Sequence, residues 1–345
     1  MTYRQKRRIG ARWLASATAV SVVAVACSSR GGPERAPVQP RATSKPDDPK
    51  AQPGVKWSEA ELKRAVAPVR AGAALTPKAW PKNSKVAVCL SFDIDNESPI
   101  LAQGITLPVP LSGEQYGATQ GLPRLLELLD REQIPASFYI PAVSAILAPA
   151  MIPAIMKSGR HEIGVHGWIH ENLPDLNDKG EEERLLRQVV EYLTQATGTR
   201  PVGNRAPSWA FSNYTIDILR KIGFEYDSSL MAMDQPYELL SNGENTGIVE
   251  LPVDWIQDDG LYFGPQGTMP SADLVYQTFQ EEFDRAYREG TMFMLTMHPA
   301  ISGHRSRVDR LETLIAHMKS KPGVWFATGQ QIAAYVKRGS AEATH

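Results

Sequence analysis

Apolar and polar residues along the chain form two recurring patterns. Short, almost continuous apolar runs predict strands that are buried on both faces. These runs lie at 86–92, 136–140, 162–166, 291–297 and 323–327. Longer segments with apolar residues at every third or fourth position predict amphipathic helices. They lie at about 121–132, 150–158, 179–198, 213–223, 271–289, 307–319 and 329–337. Strands that alternate with helices in this way predict an α/β fold with a parallel sheet or barrel.

The N-terminal residues have a pattern of their own. Basic residues at 4–12 precede an apolar stretch at 13–26, which is too short and too weakly apolar to predict a spanning helix and matches a secretory signal. The stretch ends in Ala24-Val25-Ala26-Cys27, which is similar to the lipobox of bacterial lipoproteins, although leucine is usual in place of Ala24.

This ending has two interpretations. Either Cys27 is lipidated, or the chain is cleaved after Ala26 and Cys27 is incidental. We favour lipidation, because a lone cysteine in an exported chain otherwise invites oxidation. The predicted location is therefore the outer face of the bacterial cell membrane, to which a lipid anchor alone attaches the chain.

The composition changes again after the apolar stretch. Residues 28–53 are rich in Pro, Arg, Lys, Ser and Ala and have almost no large apolar side chains, so they predict a disordered tether. Ser58 and Glu61 can cap a short helix that follows it. The sequence thus predicts a signal peptide with a lipobox at 1–27, a linker with a short N-terminal helix at 28–79, and a folded domain at 80–340.

Composition and charge narrow the function. The chain has 345 residues, of which 42% are hydrophobic, and this is enough for a substantial core. Its net charge of -1 gives no electrostatic case for binding nucleic acid, which usually requires a basic face. The only two cysteines are Cys27 and Cys89, so no disulfide framework is predicted, and Cys89 is expected to be a buried thiol. The oligomeric state stays open, a homo-oligomer included.

Polar residues with catalytic chemistry follow several predicted strands. Asp93, Asp95, His166 and His298 lie at or just after strand ends, where the catalytic groups of α/β folds gather. His170 stands four residues after His166, a spacing that lets two imidazoles converge on one metal ion. Two histidines and a carboxylate form a common catalytic metal set with an open position for water. Such ligands favour zinc, with cobalt, nickel or iron as alternatives. The pattern therefore predicts a metal-dependent hydrolase.

Ordered motifs extend this pattern over most of the folded domain. They are Ser91-Phe92-Asp93-Ile94-Asp95-Asn96-Glu97, His166-Gly167-Trp168-Ile169-His170-Glu171, Arg205-Ala206-Pro207-Ser208-Trp209, Tyr226-Asp227-Ser228-Ser229-Leu230 with Glu250-Leu251-Pro252-Val253, and Leu295-Thr296-Met297-His298-Pro299. In these motifs the chain resembles the polysaccharide deacetylases of the NodB-homology group, from about residue 85 to 335. The resemblance implies a distorted (β/α) barrel with fewer regular strands than the usual eight-stranded barrel.

The resemblance also implies a role for individual residues. Asp95, His166 and His170 would bind a divalent metal, with zinc favoured. Asp93 would be the general base and His298 the catalytic histidine that gives a proton to the leaving nitrogen, while Arg205 would orient Asp93. Four further residues are expected to contact the polysaccharide substrate: Trp209, Pro207, Asp227 and Glu97.

One departure from the common motif leaves the substrate open. The commoner deacetylases carry two adjacent aspartates, whereas Ile94 separates Asp93 from Asp95. The Asp-x-Asp form is similar to a subgroup that contains peptidoglycan-deacetylase-like proteins and cyclic amide hydrolases related to allantoinase. We expect removal of N-acetyl groups from peptidoglycan or a related amino-sugar polymer, because an exported enzyme meets such polymers outside the membrane. A cyclic amide or imide hydrolase is the first alternative.

The second alternative is an inactive carbohydrate-binding lipoprotein on the same scaffold. The complete set of residues with chemical roles argues against it, since a silent scaffold does not need them. These residues are Asp93, Asp95, His166, His170, Arg205 and His298.

Overall fold

The structure of the protein is a computed structural model that describes residues 52–265 and 267–343. The predicted signal segment, Cys27 and most of the predicted tether lie outside the described residues. The strands are β1 (Arg70–Ala74), β2 (Val86–Asp93), β3 (Ser137–Ile140), β4 (Glu162–Val165), β5 (Gly203–Asn204), β6 (Tyr226–Asp227), β7 (Tyr237–Ser241), β8 (Glu244–Glu250), β9 (Met292–Met297) and β10 (Val324–Phe326).

Helices connect these strands. The α-helices are α1 (Glu59–Val66), α2 (Ser98–Ala102), α3 (Pro108–Tyr116), α4 (Leu122–Glu132), α5 (Ala142–Leu147), α6 (Met151–Met156), α7 (Leu173–Leu176), α8 (Lys179–Thr197), α9 (Thr215–Ile222), α10 (Asp259–Phe263), α11 (Ala272–Glu289), α12 (Pro299–Ser302), α13 (Arg305–Lys319) and α14 (Gly329–Ala343). Within the part of the chain that the structure describes, no helix is both long and apolar enough to cross a membrane.

The described strands form one mixed sheet in the order β1-β7-β8-β6-β5-β4-β3-β2-β10, and β9 also pairs with β2. The pairings from β8 through β6, β5, β4 and β3 to β2, and from β2 to β9 and β10, are parallel. The sheet curls and packs helices against itself. It is the distorted (β/α) barrel that the sequence predicts.

The antiparallel end of the sheet was not predicted. β7 pairs antiparallel with both β1 and β8. Asn242 and Gly243 join β7 to β8 with φ angles of 51° and 84°, and this Asn-Gly pair is a common sequence signal for a tight hairpin. β1 reads Arg-Ala-Gly-Ala-Ala and has no large apolar side chain from which a pattern could predict it. The sheet therefore begins before residue 80, where the hydrophobic pattern places the start of the domain.

β2 pairs with β3, β9 and β10, and the first of the sequence motifs lies at its end. All of its residues are buried. Val88, Leu90 and Phe92 point into the larger hydrophobic cluster. Ala87 and Cys89 point into a smaller cluster on the opposite face, which confirms the predicted buried thiol. Because side chains alternate along a strand, the polar residues at the end of β2 share the second face.

Candidate active site

The residue between the two aspartates keeps both carboxylates on one face. Ile94 has no exposed surface, lies in the larger hydrophobic cluster, and donates its N–H to the carbonyl oxygen of Tyr139 at 2.9 Å. The Ser144 hydroxyl donates to the carbonyl oxygens of Ile94 and Asp95 at 2.6 and 2.9 Å. With Ile94 anchored in the core, the alternation of the strand turns Asp93 and Asp95 towards the same side.

Asp95, His166 and His170 form a compact cluster whose ligand atoms all lie within 4.8 Å of one another. His166 Nε2 lies 3.4 Å from Asp95 Oδ1, and His170 Nε2 lies 3.5 Å from Asp95 Oδ2. Although burial alone raises the pKa of Asp95, the neighbouring His170 and His166 bring it below the usual range. The carboxylate is therefore ionised near neutral pH, the state in which it can bind a cation.

The orientation of His166 is set by a carbonyl group. Its Nδ1 lies 2.8 Å from the carbonyl oxygen of Arg205. A carbonyl oxygen only accepts hydrogen bonds, so Nδ1 carries the proton and donates it. When the ring is neutral, the form that binds a metal ion, its lone pair therefore lies on Nε2, which faces Asp95. Metal-binding histidines are commonly held by a second hydrogen bond of this kind.

A tight loop positions His170 relative to His166. The Glu171 carboxylate accepts the N–H groups of Trp168 and Ile169 at 2.8–3.0 Å, which closes the loop. Gly167 has a φ of 76°, and a Cβ there would lie 2.7 Å from Pro207 Cγ and 3.0 Å from Glu171 Oε2. His170 also has a positive φ of 61°, which is uncommon for a residue with a side chain. Strained residues of this kind are concentrated at functional sites.

Arg205 lies beneath the carboxylates and has no exposed surface. Its Nη1 donates to Asp93 Oδ1 at 2.7 Å and to the Ser91 hydroxyl at 3.0 Å. Its Nη2 and Nε donate to the hydroxyl and carbonyl oxygens of Ser228 at 2.9 and 3.0 Å. Burial alone lowers the pKa of Arg205, but Asp93 raises it above its ordinary value, so the guanidinium stays charged. The second Asp93 oxygen, Oδ2, lies 3.7 Å from His166 Nε2.

His298 enters the same site from the end of β9. Its Nε2 lies 3.7 Å from Asp95 Oδ2, and its Nδ1 lies 2.6 Å from Asp259 Oδ1. Asp259 Oδ2 also accepts the His298 N–H at 3.0 Å and the Ser302 hydroxyl at 2.5 Å. Burial alone lowers the pKa of His298, but Asp259 raises it well above the usual value. The ring is therefore protonated near neutral pH.

The residues expected to contact substrate have different surroundings. Trp209 is 8% exposed and packs on Trp255, with ring centroids 4.4 Å apart. Pro207 is buried against the position of Gly167, and Glu97 is half-buried at the start of α2. Asp227 has no exposed surface, and its Oδ1 accepts the Asn204 side-chain amide at 2.7 Å. This enclosure favours a supporting role for Asp227 over direct contact with a substrate.

Three acidic residues at the site were missed in the sequence. Asp259 holds His298, and Asp258 Oδ1 lies 3.7 Å from His298 Nδ1. Glu114, on α3, is half-buried, and its pKa is raised to about 7 by burial and by the charge of Asp95. The adjacent aspartates after Trp255 were a signal that could have been read. Glu114 has no such signal, because α3 brings it to the site from a remote position in the chain.

Comparison with known proteins identifies the family. Residues 109–226 match the family described as Polysaccharide deacetylase. A peptidoglycan deacetylase from Helicobacter pylori is 31% identical over 281 residues, which cover 72% of this chain and 95% of that protein.

Solved structures match as well. A Mycobacterium smegmatis structure assigned to the polysaccharide deacetylases has a TM-score of 0.71 and 34% identity, covering 79% of this chain and 96% of that one. Puue allantoinase shares the fold, with a TM-score of 0.68 and 23% identity over 76% of this chain and 93% of that one. The resemblance to this family that the sequence predicts is thereby confirmed, and the chain belongs to the polysaccharide deacetylase family.

Proposed function

We propose that the protein is a metal-dependent deacetylase that removes N-acetyl groups from peptidoglycan or a related amino-sugar polymer. The observation that carries this proposal is the meeting of three units at the strand ends. They are the Asp95–His166–His170 cluster, Asp93 held by Arg205, and His298 held by Asp259. Amide hydrolysis needs a polarised carbonyl group, a base for water and an acid for the leaving amine, and the three units match these needs.

The Asp95–His166–His170 cluster fits a divalent metal ion, with zinc favoured. Asp95 Oδ1 is buried and accepts no hydrogen bond among the described residues, so it is available as a ligand. Two imidazole nitrogens and a carboxylate form a typical catalytic zinc set. When bound, such an ion polarises the acetyl carbonyl group and lowers the pKa of water.

Asp93 is the proposed general base. Arg205 holds one of its oxygens, and the other faces the metal-binding cluster at His166. A carboxylate fixed by a buried guanidinium stays ionised and keeps one orientation. In this proposal Oδ2 takes a proton from the attacking water, while Arg205 acts as a positioning residue.

His298 is the proposed general acid. Asp259 fixes the ring through Nδ1 and keeps it protonated, so the Nε2 proton points into the site beside Asp95. In this proposal Nε2 donates that proton to the departing sugar nitrogen, which leaves as an amine. Trp255 packs on the buried Trp209 and is 36% exposed, so it offers an aromatic face on which a sugar ring can stack.

Acetate release tests the proposal against the cyclic amide alternative. The purified protein would be incubated with peptidoglycan fragments, chitin oligomers and cyclic amides, and acetate release would be measured beside ring opening. We expect acetate from at least one amino-sugar polymer and its loss in His166→Ala. Ring opening without acetate would establish the alternative, and acetate release unaffected by His166→Ala would refute the metal mechanism.

We also propose that the protein is exported and lipid-anchored at Cys27. The basic and apolar residues at 4–26 and the position of Cys27 support this location. Metabolic labelling with a radioactive fatty acid should mark the wild type and leave Cys27→Ala unlabelled. Labelling of both proteins would place the lipid elsewhere, and labelling of neither would refute the anchor.

A further inference from the structure

A second cleft, beside the candidate active site, has a basic and aromatic lining. It is a depression that is open to solvent, with a volume of about 580 Å3. We call this site the basic cleft. Its lining residues are Tyr116, Gln120, Arg124, His304, Arg305 and Ser306. None of these residues is acidic, although the neighbouring active site is rich in carboxylates.

Close packing at Gly117 and Gly121 connects the wall of the basic cleft to the active site. The turn Gly117–Gly121 is a π-helix, a rare element that is frequent at functional sites. A Cβ on Gly117 would lie 2.7 Å from Asn96 Oδ1, and a Cβ on Gly121 would lie 2.0 Å from the Pro299 carbonyl oxygen. Only glycine permits these approaches. The turn therefore packs directly on the residues that follow Asp95 and His298 in the chain.

The walls of the basic cleft continue from this packed turn. Tyr116 immediately precedes Gly117, and His304 immediately follows Gly303, where a Cβ would lie 2.2 Å from Gly121 Cα. Glu114, one turn earlier in the same chain segment, is close enough to Asp95 and His298 for their charges to shift its pKa. The segment from Glu114 to Tyr116 thus borders the active site at Glu114 and the basic cleft at Tyr116.

The aromatic wall of the basic cleft is rigid. The rings of Tyr116 and His304 stack with centroids 4.2 Å apart and planes 11° apart. Arg124 Nη1 donates to the Tyr116 hydroxyl at 2.5 Å and to the Gly303 carbonyl oxygen at 3.1 Å. These acceptors are uncharged, so they fix the guanidinium without neutralising it.

Arg305 supplies a second cation that is available to a ligand. It is exposed and forms no ion pair or side-chain hydrogen bond with another of the described residues. It is also the first residue of α13, so the positive end of the helix dipole lies at the same opening. The cleft therefore combines two unneutralised guanidinium groups with a flat ring surface, and these features suit a planar anion attached to a partly apolar group.

We propose that the basic cleft binds a carboxylate of the peptide stem on a muramyl residue while the neighbouring N-acetyl sugar occupies the active site. This inference rests on the proposed function and narrows its substrate to peptide-bearing peptidoglycan. A guanidinium pairs with a carboxylate through two parallel hydrogen bonds, and the stacked rings offer a face to the amide planes of the stem. Chitin has neither group, so the cleft distinguishes the two polymers.

Arg305→Glu tests this proposal on two substrates. One is glycan that carries its peptide stems, and the other is the same glycan after an amidase has removed the stems and the lactyl carboxylates that this cleavage frees have been capped as amides. Glutamate at the first position of a helix is favourable, so the fold is retained. We expect KM to rise about tenfold on the stem-bearing glycan, the loss typical of a charged hydrogen bond. On the stripped glycan KM should change less than about twofold.

Arg288→Glu is the matched control, because it makes the same charge change in the last turn of α11, outside the lining of the cleft. It should leave KM unchanged on both glycans. Equal KM changes for Arg305→Glu on both glycans, or no change on either, would overturn the proposal.

Binding without catalysis separates this inference from the proposed function. Free stem peptide, stem peptide with amidated carboxylates, and inorganic phosphate would each be titrated into wild type and Arg305→Glu by calorimetry. We expect only the unmodified peptide to bind, and only to the wild type. Binding of phosphate in place of the peptide would assign the cleft to a phosphate-bearing polymer and overturn the proposal. The titration tests binding of the stem peptide even if no glycan releases acetate. The absence of acetate release would refute the proposed function alone.

Discussion

Arg205 and Asp93 form a fully enclosed ion pair, with Nη1 and Oδ1 2.7 Å apart and at most 2% of either side chain exposed. An isolated charge at this depth would be strongly disfavoured, so each partner compensates the buried charge of the other. The pair uses only one oxygen of Asp93, because the other is turned towards His166. The packing of β2 against the loop at Arg205 thus fixes the orientation of this carboxylate before any substrate arrives.

Asp93→Asn should remove the base while nearly preserving its shape. We expect kcat to fall by about 10²–10⁴-fold with little change in KM, the usual contribution of a general base. The variant also leaves Arg205 without a counter-charge, so thermal unfolding must accompany the kinetic assay. Ser91→Ala is the control, because it removes the other acceptor of Arg205 Nη1 and keeps the base. Equal losses of kcat in the two variants would assign Asp93 a structural role only.

The Asp95–His166–His170 cluster should determine the metal content. We expect about one divalent ion per wild-type chain, since one set of ligands binds one ion. His170→Ala should lose the ion and acetate release together. His317→Ala is the control, because His317 pairs with Asp284 outside the cluster. Elemental analysis and acetate assays before and after chelation measure both quantities. Full activity in a metal-free preparation would contradict this prediction.

The bond from Asp259 to His298 should set the alkaline limit of activity. The negative charge of Asp259 favours the protonated ring, so Asp259→Asn lowers the pKa of His298. The acid form is then lost at lower pH, and the alkaline limb of the kcat/KM profile shifts down by about 1–3 pH units, the usual effect of one adjacent charge. Ser302→Ala keeps the charge and removes one donor to Asp259, so it should shift the limb less. If the alkaline limb of the kcat/KM profile does not move in Asp259→Asn, a group other than His298 sets that limb.

Sequence patterns predicted most of the parallel barrel because its buried strands are continuous apolar runs. They also placed Asp93, Asp95, His166 and His298 together, since parallel strands end at one edge of a sheet. The residue inserted between the two aspartates does not turn their carboxylates apart in three dimensions. Ile94 points into the core, so the inserted residue keeps both carboxylates on one face.

The strand pattern did not single out two acidic residues that reach the site on short helices. Glu114 arrives on α3 and Asp259 begins α10, and neither follows an apolar strand. The segment that carries β7 and β8 also escaped prediction, because the exposed half of β8 has no apolar alternation. Local patterns report burial along an element, whereas these contacts depend on how remote elements pack.

The loop between His166 and His170 should not tolerate a side chain at Gly167. Gly167→Ala adds left-handed strain of about 1–2 kcal/mol. It also adds a contact at 2.7 Å with Pro207, for which overpacking costs of about 1–3 kcal/mol are typical. Gly159→Ala is matched to it, because φ is 66° there but no atom lies within 4 Å of the new Cβ. We expect Gly167→Ala to be the more destabilising in urea unfolding and to lose metal. Equal losses of stability in Gly167→Ala and Gly159→Ala would mean that crowding at the loop is negligible.

Two buried carboxyl groups face each other across the wall of the site. Asp227 and Glu250 are paired in the register of β6 and β8, and neither has any exposed surface. Burial first, and then the charge of Asp227, raises the pKa of Glu250 well above its ordinary value of 4.5. Glu250 Oε1 accepts the N–H groups of Ser229 and Leu230, both at 2.9 Å, so its other oxygen can carry the proton.

This buried proton should make stability depend on pH. Above about pH 4.5 the unfolded chain releases the Glu250 proton while the folded protein keeps it, so the free energy of unfolding falls as pH rises until the folded group also ionises. Glu250→Gln keeps the two backbone hydrogen bonds and cannot ionise, so its free energy of unfolding should not fall in this way as pH rises. We expect the variant to gain up to about 1.4 kcal/mol per pH unit over the wild type within that window, with no difference near pH 4. Glu191→Gln, at an exposed helical position, should follow the wild type throughout. Parallel curves for wild type and Glu250→Gln between pH 4 and 8 would show that Glu250 is ionised in the folded protein.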